Sequence, residues 1–205
     1  LDNIGPFDRS SNIPGGGFLE QADGTSWMAL YCLNMLDMAL EIAQVDSTFE
    51  DVATKFLEHF VYIAESLNKI SEDWVGSWDE EDGFFYDILV LPEEDAYIPL
   101  KVRSLVGLTS FFATLLIEEE RLEAVPNFKE KMLWFRNYRM KNGLHVVMEE
   151  FKDSKDVLLS LLPQERLTKM LKALLDKDEF YSPRGIRSLS KKHEIPYTFK
   201  IKNKE

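Results

Sequence analysis

Residues 101–119 read KVRSLVGLTSFFATLLIEE. Val102, Leu105, Val106, Phe111, Phe112, Leu115 and Leu116 recur there at spacings close to 3.6, which predicts a helix over Lys101–Glu119. It is too apolar for burial on one side only, and so expects neighbours on several faces. Working outward, a further helix is predicted from the capping residues Asp23 or Thr25 to about Ala43, carrying Trp27, Leu30, Tyr31, Leu33, Leu36 and Leu40. A second spans about Thr48 to Ile70, with Phe49, Val52, Phe56, Phe60, Ile63 and Leu67 on one stripe. Others run from the Asn127 cap to about Met140, and from Pro163 as first helical residue to Leu175. Between them, Leu1–Asp23 is a long Gly- and Pro-punctuated loop, and Ser71–Pro99 loses the helical period. Val146 and Val147 form a short extended piece. No internal repeat of fixed period is visible.

Composition narrows the function. The chain has 205 residues, a net charge of −12 and 45% apolar residues, so it reads as globular and repels a phosphate backbone. Neither nucleic acid nor membrane is an expected partner, because the longest apolar run, Gly107–Ile117, is too short to cross a bilayer. Arg184, Arg187, Lys191, Lys192, Lys200, Lys202 and Lys204 make the last stretch locally basic, more in keeping with a solvated surface than an anion site. Cys32 is the single cysteine, which rules out an intrachain disulfide and a thiolate cluster. His59, His145 and His193 form no HExxH, and neither a GxSxG elbow nor a P-loop occurs. The acidic run at Asp79–Gly83 fails as an EF-hand, since Gly83 at the turn position puts Trp78 and Leu89 where ligands belong. No metal and no cofactor are therefore expected. A cytoplasmic setting is expected, with an upstream segment missing before Leu1.

Three clusters mixing acids with aromatics remain: Leu1–Ser10, Glu20–Met28 and Trp78–Asp87. Carboxylates that hold hydroxyls and flat rings that cover pyranose faces are what a sugar site needs. The alternative is that the acids cap helices and the rings fill a core, with Asp23 the best case for a cap.

The stretch LDNIGPFDRSSNIPGGGFLEQADGTSWMALYCLNML, residues 1–36, resembles large proteins grouped with glycoside hydrolase family 63 and the mannosylglycerate-hydrolase-like enzymes. WDEEDGFFYD at 78–87 and EFYSPRGIRSLSKKH at 179–193 resemble later segments of the same group, in the same order. The resemblance implies an all-α fold, an incomplete (α/α)6 toroid of helical hairpins with long functional loops at one end. Residues 1–205 would then be a single partial catalytic domain holding four or five of twelve helices. It also implies an inverting glycosidase acting on an α-linked glucoside or mannoside, with an acid and a base roughly 6.5–9.5 Å apart. Asp2 matches the general acid, and it needs a pKa raised well above the ordinary value of about 3.9, through neighbours such as Phe7 and Trp27. Asn3, Arg9, Asp23, Trp27, Trp78, Asp82, Tyr86 and Arg103 are the candidate substrate contacts. Arg9 is assigned to substrate or Asp8, and the competing role for Arg103 is an ion pair with Asp87. Nothing after Lys200 resembles the segment that bears the base, so the isolated chain is expected to be inactive. The rival readings are a carbohydrate-binding remnant and an unrelated helical scaffold. An oligosaccharide or small glycoside is the expected ligand. Exposed apolar helix faces would invite self-association or a complementing chain.

Overall fold

A computed structural model describes residues 8–9, 13, 16–68, 76–144 and 147–200. In chain order the elements are β1 (Phe18–Glu20), α1 (Ala22–Ala43), α2 (Phe49–Asn68), β2 (Trp78–Asp79), β3 (Phe84–Phe85), β4 (Asp87–Leu91) and β5 (Ala96–Leu100). They continue with α3 (Leu105–Leu108), β6 (Thr114–Ile117), α4 (Glu119–Glu123) and α5 (Pro126–Lys141). The last are β7 (Met148–Glu150), β8 (Val157–Ser160), α6 (Gln164–Leu175), β9 (Tyr181–Ser182) and β10 (Gly185–Ile186). The all-α expectation, an incomplete (α/α)6 toroid, is overturned: the described residues form four small antiparallel sheets beside the helices. The chain divides into two compact units.

Unit one comprises Leu1–Gly24, Lys69–Thr109 and Gln164–Glu205. Its largest sheet has the order β1-β4-β5, with Leu89 of β4 opposite Leu19 on one side and Ile98 on the other. The central strand β4 buries Ile88, Leu89 and Val90 in succession, so its apolar run lacks the alternation of a half-wet strand. Pro99 is accommodated because β5 is an edge. Ile13, Leu89 and Leu100 form a cluster joined by Leu19, Leu91, Ile98 and Phe199. Gly17, at φ +113, lets the chain pass against the Val90 carbonyl, where any side chain would collide.

Unit two comprises Thr25–Asn68 and Ser110–Pro163. Here α2 packs on α5, and the sheet has the order β6-β8-β7. α5 starts at Pro126 rather than after an Asn127 cap. The buried Glu50 of α2 caps it from outside, accepting the Phe128 N–H at 2.7 Å and the Asn127 amide at 3.1 Å. Asn68 donates to the Leu161 carbonyl at 2.8 Å. Arg121 of α4 meets Asp37 of α1.

The run 101–119 is not one helix. α3 lasts four residues, a 3-10 turn covers Thr109–Phe112, and Thr114–Ile117 is strand β6, paired with Val157–Ser160. The unit boundary itself falls between Thr109 and Ser110. A continuous apolar run cannot distinguish a buried helix from a buried strand, and a partner some forty residues away decided it. Gly107 adds a second reason, since a Cβ there would drive into the Phe84 ring and the Phe85 carbonyl. The loop expected over Leu1–Asp23 likewise holds β1, and the aperiodic Ser71–Pro99 holds β2 to β5, whose strands are too short to show a period. The extended piece expected at Val146 and Val147 appears as β7, one residue further on, and Val146 lies outside the described residues.

Candidate functional site

Unit one gathers most of the sequence-predicted residues into two polar clusters. In the first, Arg9 pairs with Asp23 at the start of α1, and its Nη1 reaches Asp23 Oδ2 at 3.1 Å. Its Nε lies 2.9 Å from Asp87 Oδ2 without the alignment of a hydrogen bond, and Nη2 donates to Asp87 Oδ1 at 3.3 Å. Asp87 also accepts the Ala22 N–H at 2.9 Å, so a carboxylate on β4 caps α1 across 65 residues of sequence. Burial opposes the charge on Arg9, yet Asp23 and Asp87 outweigh it and hold the guanidinium above its ordinary pKa. Burial pushes the Asp87 carboxyl up, against the Ala22 amide and Arg9. Asp23 thus pairs with Arg9, a role different from the helix cap that sequence reasoning kept as its alternative. Asp2 and Asn3 lie outside the described residues.

The second cluster is built on the β2–β3 hairpin. Gly83, at φ +59, turns the chain, while the Asp82 N–H bonds Asp79 Oδ1 at 2.8 Å. Trp78 is buried edge-on to Phe85 with Arg166 4.8 Å above its ring, so that face is covered. The buried Tyr86 donates its hydroxyl to Asp82 Oδ2 at 3.0 Å, and burial pushes its pKa up to about 12. Arg103 lies over the Phe84 ring at 4.4 Å and forks onto Glu179, at 2.8 Å from Nε and 3.1 Å from Nη2. Asp87, the competing partner proposed for Arg103, is instead engaged by Arg9. Glu179 is buried, and burial alone would raise its pKa, but Arg103 and Lys192 at 2.6 Å hold it below the ordinary value. Lys101 bridges Asp79 at 2.7 Å and Asp82 at 3.0 Å.

The 179–193 segment closes round this cluster like a strap. Ser104 bridges Leu189, the Leu105 N–H reaches the Ser188 carbonyl at 2.8 Å, and the Ser190 N–H reaches the Arg103 carbonyl at 2.9 Å. His193 Nε2 accepts the Arg103 backbone N–H at 2.9 Å; burial, then the nearby guanidinium, holds its pKa below the usual histidine value. Between the hairpin, α6 and the strap lies a cavity of about 350 Å³, lined by Asp82, Arg103, Glu179 and Lys192 together with residues of α6. Its nine lining residues include four acids and four bases, so its wall is balanced in charge. Among the described residues no group of three or more His, Cys, Asp or Glu is placed to hold a metal ion.

Trp27 belongs to unit two, where its half-exposed ring tilts against Phe112 at 5.4 Å. Sequence reasoning did not single out Glu179, Lys192, His193 or Lys101. An arginine set in an acid-aromatic cluster calls for a carboxylate partner, and Glu179 heads one of the quoted segments, so that signal was available.

No described helix is long and apolar enough to cross a membrane. No family model and no solved structure matches the chain. A Saccharomyces cerevisiae protein described as "Uncharacterized protein YMR196W" is 42% identical over 207 residues, covering 95% of this chain. The chain spans 19% of the length of that curated relative.

Proposed function

We propose that the chain is the sugar-handling part of an inverting glycoside hydrolase for an α-linked glucoside or mannoside. In this reading Asp2 is the general acid and the base lies outside residues 1–205. One observation carries it. The three stretches that resemble family-63 enzymes are far apart in sequence, yet in unit one the second meets the first at Arg9–Asp23–Asp87 and is linked to the third through Arg103, as Asp82–Tyr86–Arg103–Glu179. The charge-balanced cavity beside Arg103 suits a neutral polyol.

Carbohydrate binding without catalysis has an observation of its own. Glu179, an acid of the cavity, is held below its ordinary pKa by Arg103 and Lys192, so it is not set up to lend a proton. Calorimetry with methyl α-glucoside and methyl α-mannoside, alongside hydrolysis of their nitrophenyl glycosides, separates the readings. We expect millimolar binding that Arg103→Gln abolishes, and no turnover by the isolated chain. Turnover would overturn the external base, and the absence of any binding would overturn the sugar reading. We also propose a cytoplasmic setting, in keeping with a single, unpaired Cys32.

A further inference from the structure

The strap is fastened to the backbone of Arg103 at two points. The Ser190 N–H donates to the Arg103 carbonyl at 2.9 Å, and the Arg103 N–H donates to His193 Nε2 at 2.9 Å. An imidazole nitrogen thus stands where a partner strand would offer a carbonyl. A turn brings it there: the His193 N–H reaches the Ser190 carbonyl at 3.1 Å, and Ser190 Oγ accepts the Lys192 N–H at 3.2 Å. The substitution of ring for carbonyl has a chemical consequence. A carbonyl accepts at every pH, whereas Nε2 accepts only while the ring is neutral with its proton on Nδ1. On protonation Nε2–H would point at the Arg103 N–H, donor against donor.

The charges around the ring give no relief. The Arg103 guanidinium faces it from the link between β5 and α3, and Tyr197 sets its ring edge-on at 6.5 Å. On its own segment Lys192 is engaged by Glu179, and Glu194 is exposed. Burial and Arg103 both disfavour the imidazolium, and no acid is set against them. Lys192, the residue before the ring, lines the cavity and holds Glu179 at 2.6 Å. We propose that His193 is a proton-operated latch on this wall of the cavity: the neutral ring closes the strap with Lys192 on Glu179, and the imidazolium frees residues 188–193 and opens the cavity. The latch acts whatever the cavity binds.

Amide hydrogen exchange, corrected for the intrinsic pH dependence of the chemical step, tests it. At pH 7.5 the Arg103, Leu105 and Ser190 amides, all bonded across the strap contact, should be protected, though less than Leu89 of the central strand β4, because the strap opens without the rest of unit one. Below pH 6.5 their protection should fall by up to about tenfold per pH unit, the limit for one proton. His193→Gln, whose amide oxygen accepts at every pH, should flatten that profile. His193→Arg, charged throughout, should leave the three amides unprotected already at pH 7.5, with the far-ultraviolet circular dichroism unchanged. Level protection from pH 7.5 to about pH 5, a fall that persists in His193→Gln, or strap amides that exchange only as slowly as Leu89 at both ends of the range would each overturn the latch.

Discussion

Unit one and unit two are of similar size but are held together by different means. Unit one sets two ion networks beside its apolar cluster: Arg9 between two aspartates, and Arg103 on a buried glutamate that a lysine also holds. Unit two is assembled around hydrocarbon, with Leu36, Leu57, Phe60, Phe128 and Met132 all but inaccessible, and its best-buried acid, Glu50, is spent on a helix cap. A core of hydrocarbon tolerates changes of pH and is damaged by lost volume. A core of paired charges tolerates neither a lost partner nor a changed protonation state.

The largest expected effect is in unit two. Phe60→Ala should lower stability by about 3–5 kcal/mol in urea titration, and no second substitution nearby restores it except one that refills the volume. Arg9→Met should be nearly as harmful, about 3 kcal/mol, because Asp23 and Asp87 are left buried and unneutralised. Here rescue is possible: adding Asp23→Asn and Asp87→Asn should recover much of the loss, which comparing the triple variant with Arg9→Met and with the Asp23→Asn, Asp87→Asn pair would read. Failure of that rescue would show that Arg9 acts through packing, and the contrast between the units would weaken. Gly107→Ala comes next, at about 1–3 kcal/mol, since the added methyl has nowhere to go but into Phe84.

The smallest effect is the most diagnostic. His193 has its folded pKa below the ordinary 6.5, so the unfolded chain takes up the proton first as pH falls. That contribution to stability is whole above pH 6.5 and is lost on acidification through the folded value. Glu179, held below its ordinary 4.5, repeats the loss further down. Asp87, raised by burial, works in the opposite sense over the carboxylate range. His193→Gln should remove the upper step from a plot of urea midpoint against pH, a slope bounded by about 1.4 kcal/mol per pH unit for one proton.

The same contrast explains what the sequence made legible. Long amphipathic helices announce themselves, and α1, α2, α5 and α6 were readable to within a few residues, because a repeating apolar face is a local signal. The two- to five-residue strands carry too few positions to show a period, and β6 takes its identity from β8. Candidate residues were legible as types but not as partners. Arg9, Asp23, Asp82, Tyr86 and Arg103 do fall into polar clusters, yet which acid each arginine meets depends on a fold that local patterns do not encode. Trp78 was selected as an open ring, and burial with two cations over it was invisible from its neighbours in sequence.

The interleaving of the two units bears on the order in which the molecule can be made. Every residue of unit two has been synthesised once Pro163 is added, whereas unit one still lacks α6 and the strap. Arg103 is made 76 residues before Glu179, and through that interval it lacks the buried carboxylate onto which its guanidinium forks. A chain ended at this point should hold a protease-resistant helical unit and an acid-aromatic hairpin still open to digestion, because the residues that close the cavity are the last of unit one to be made.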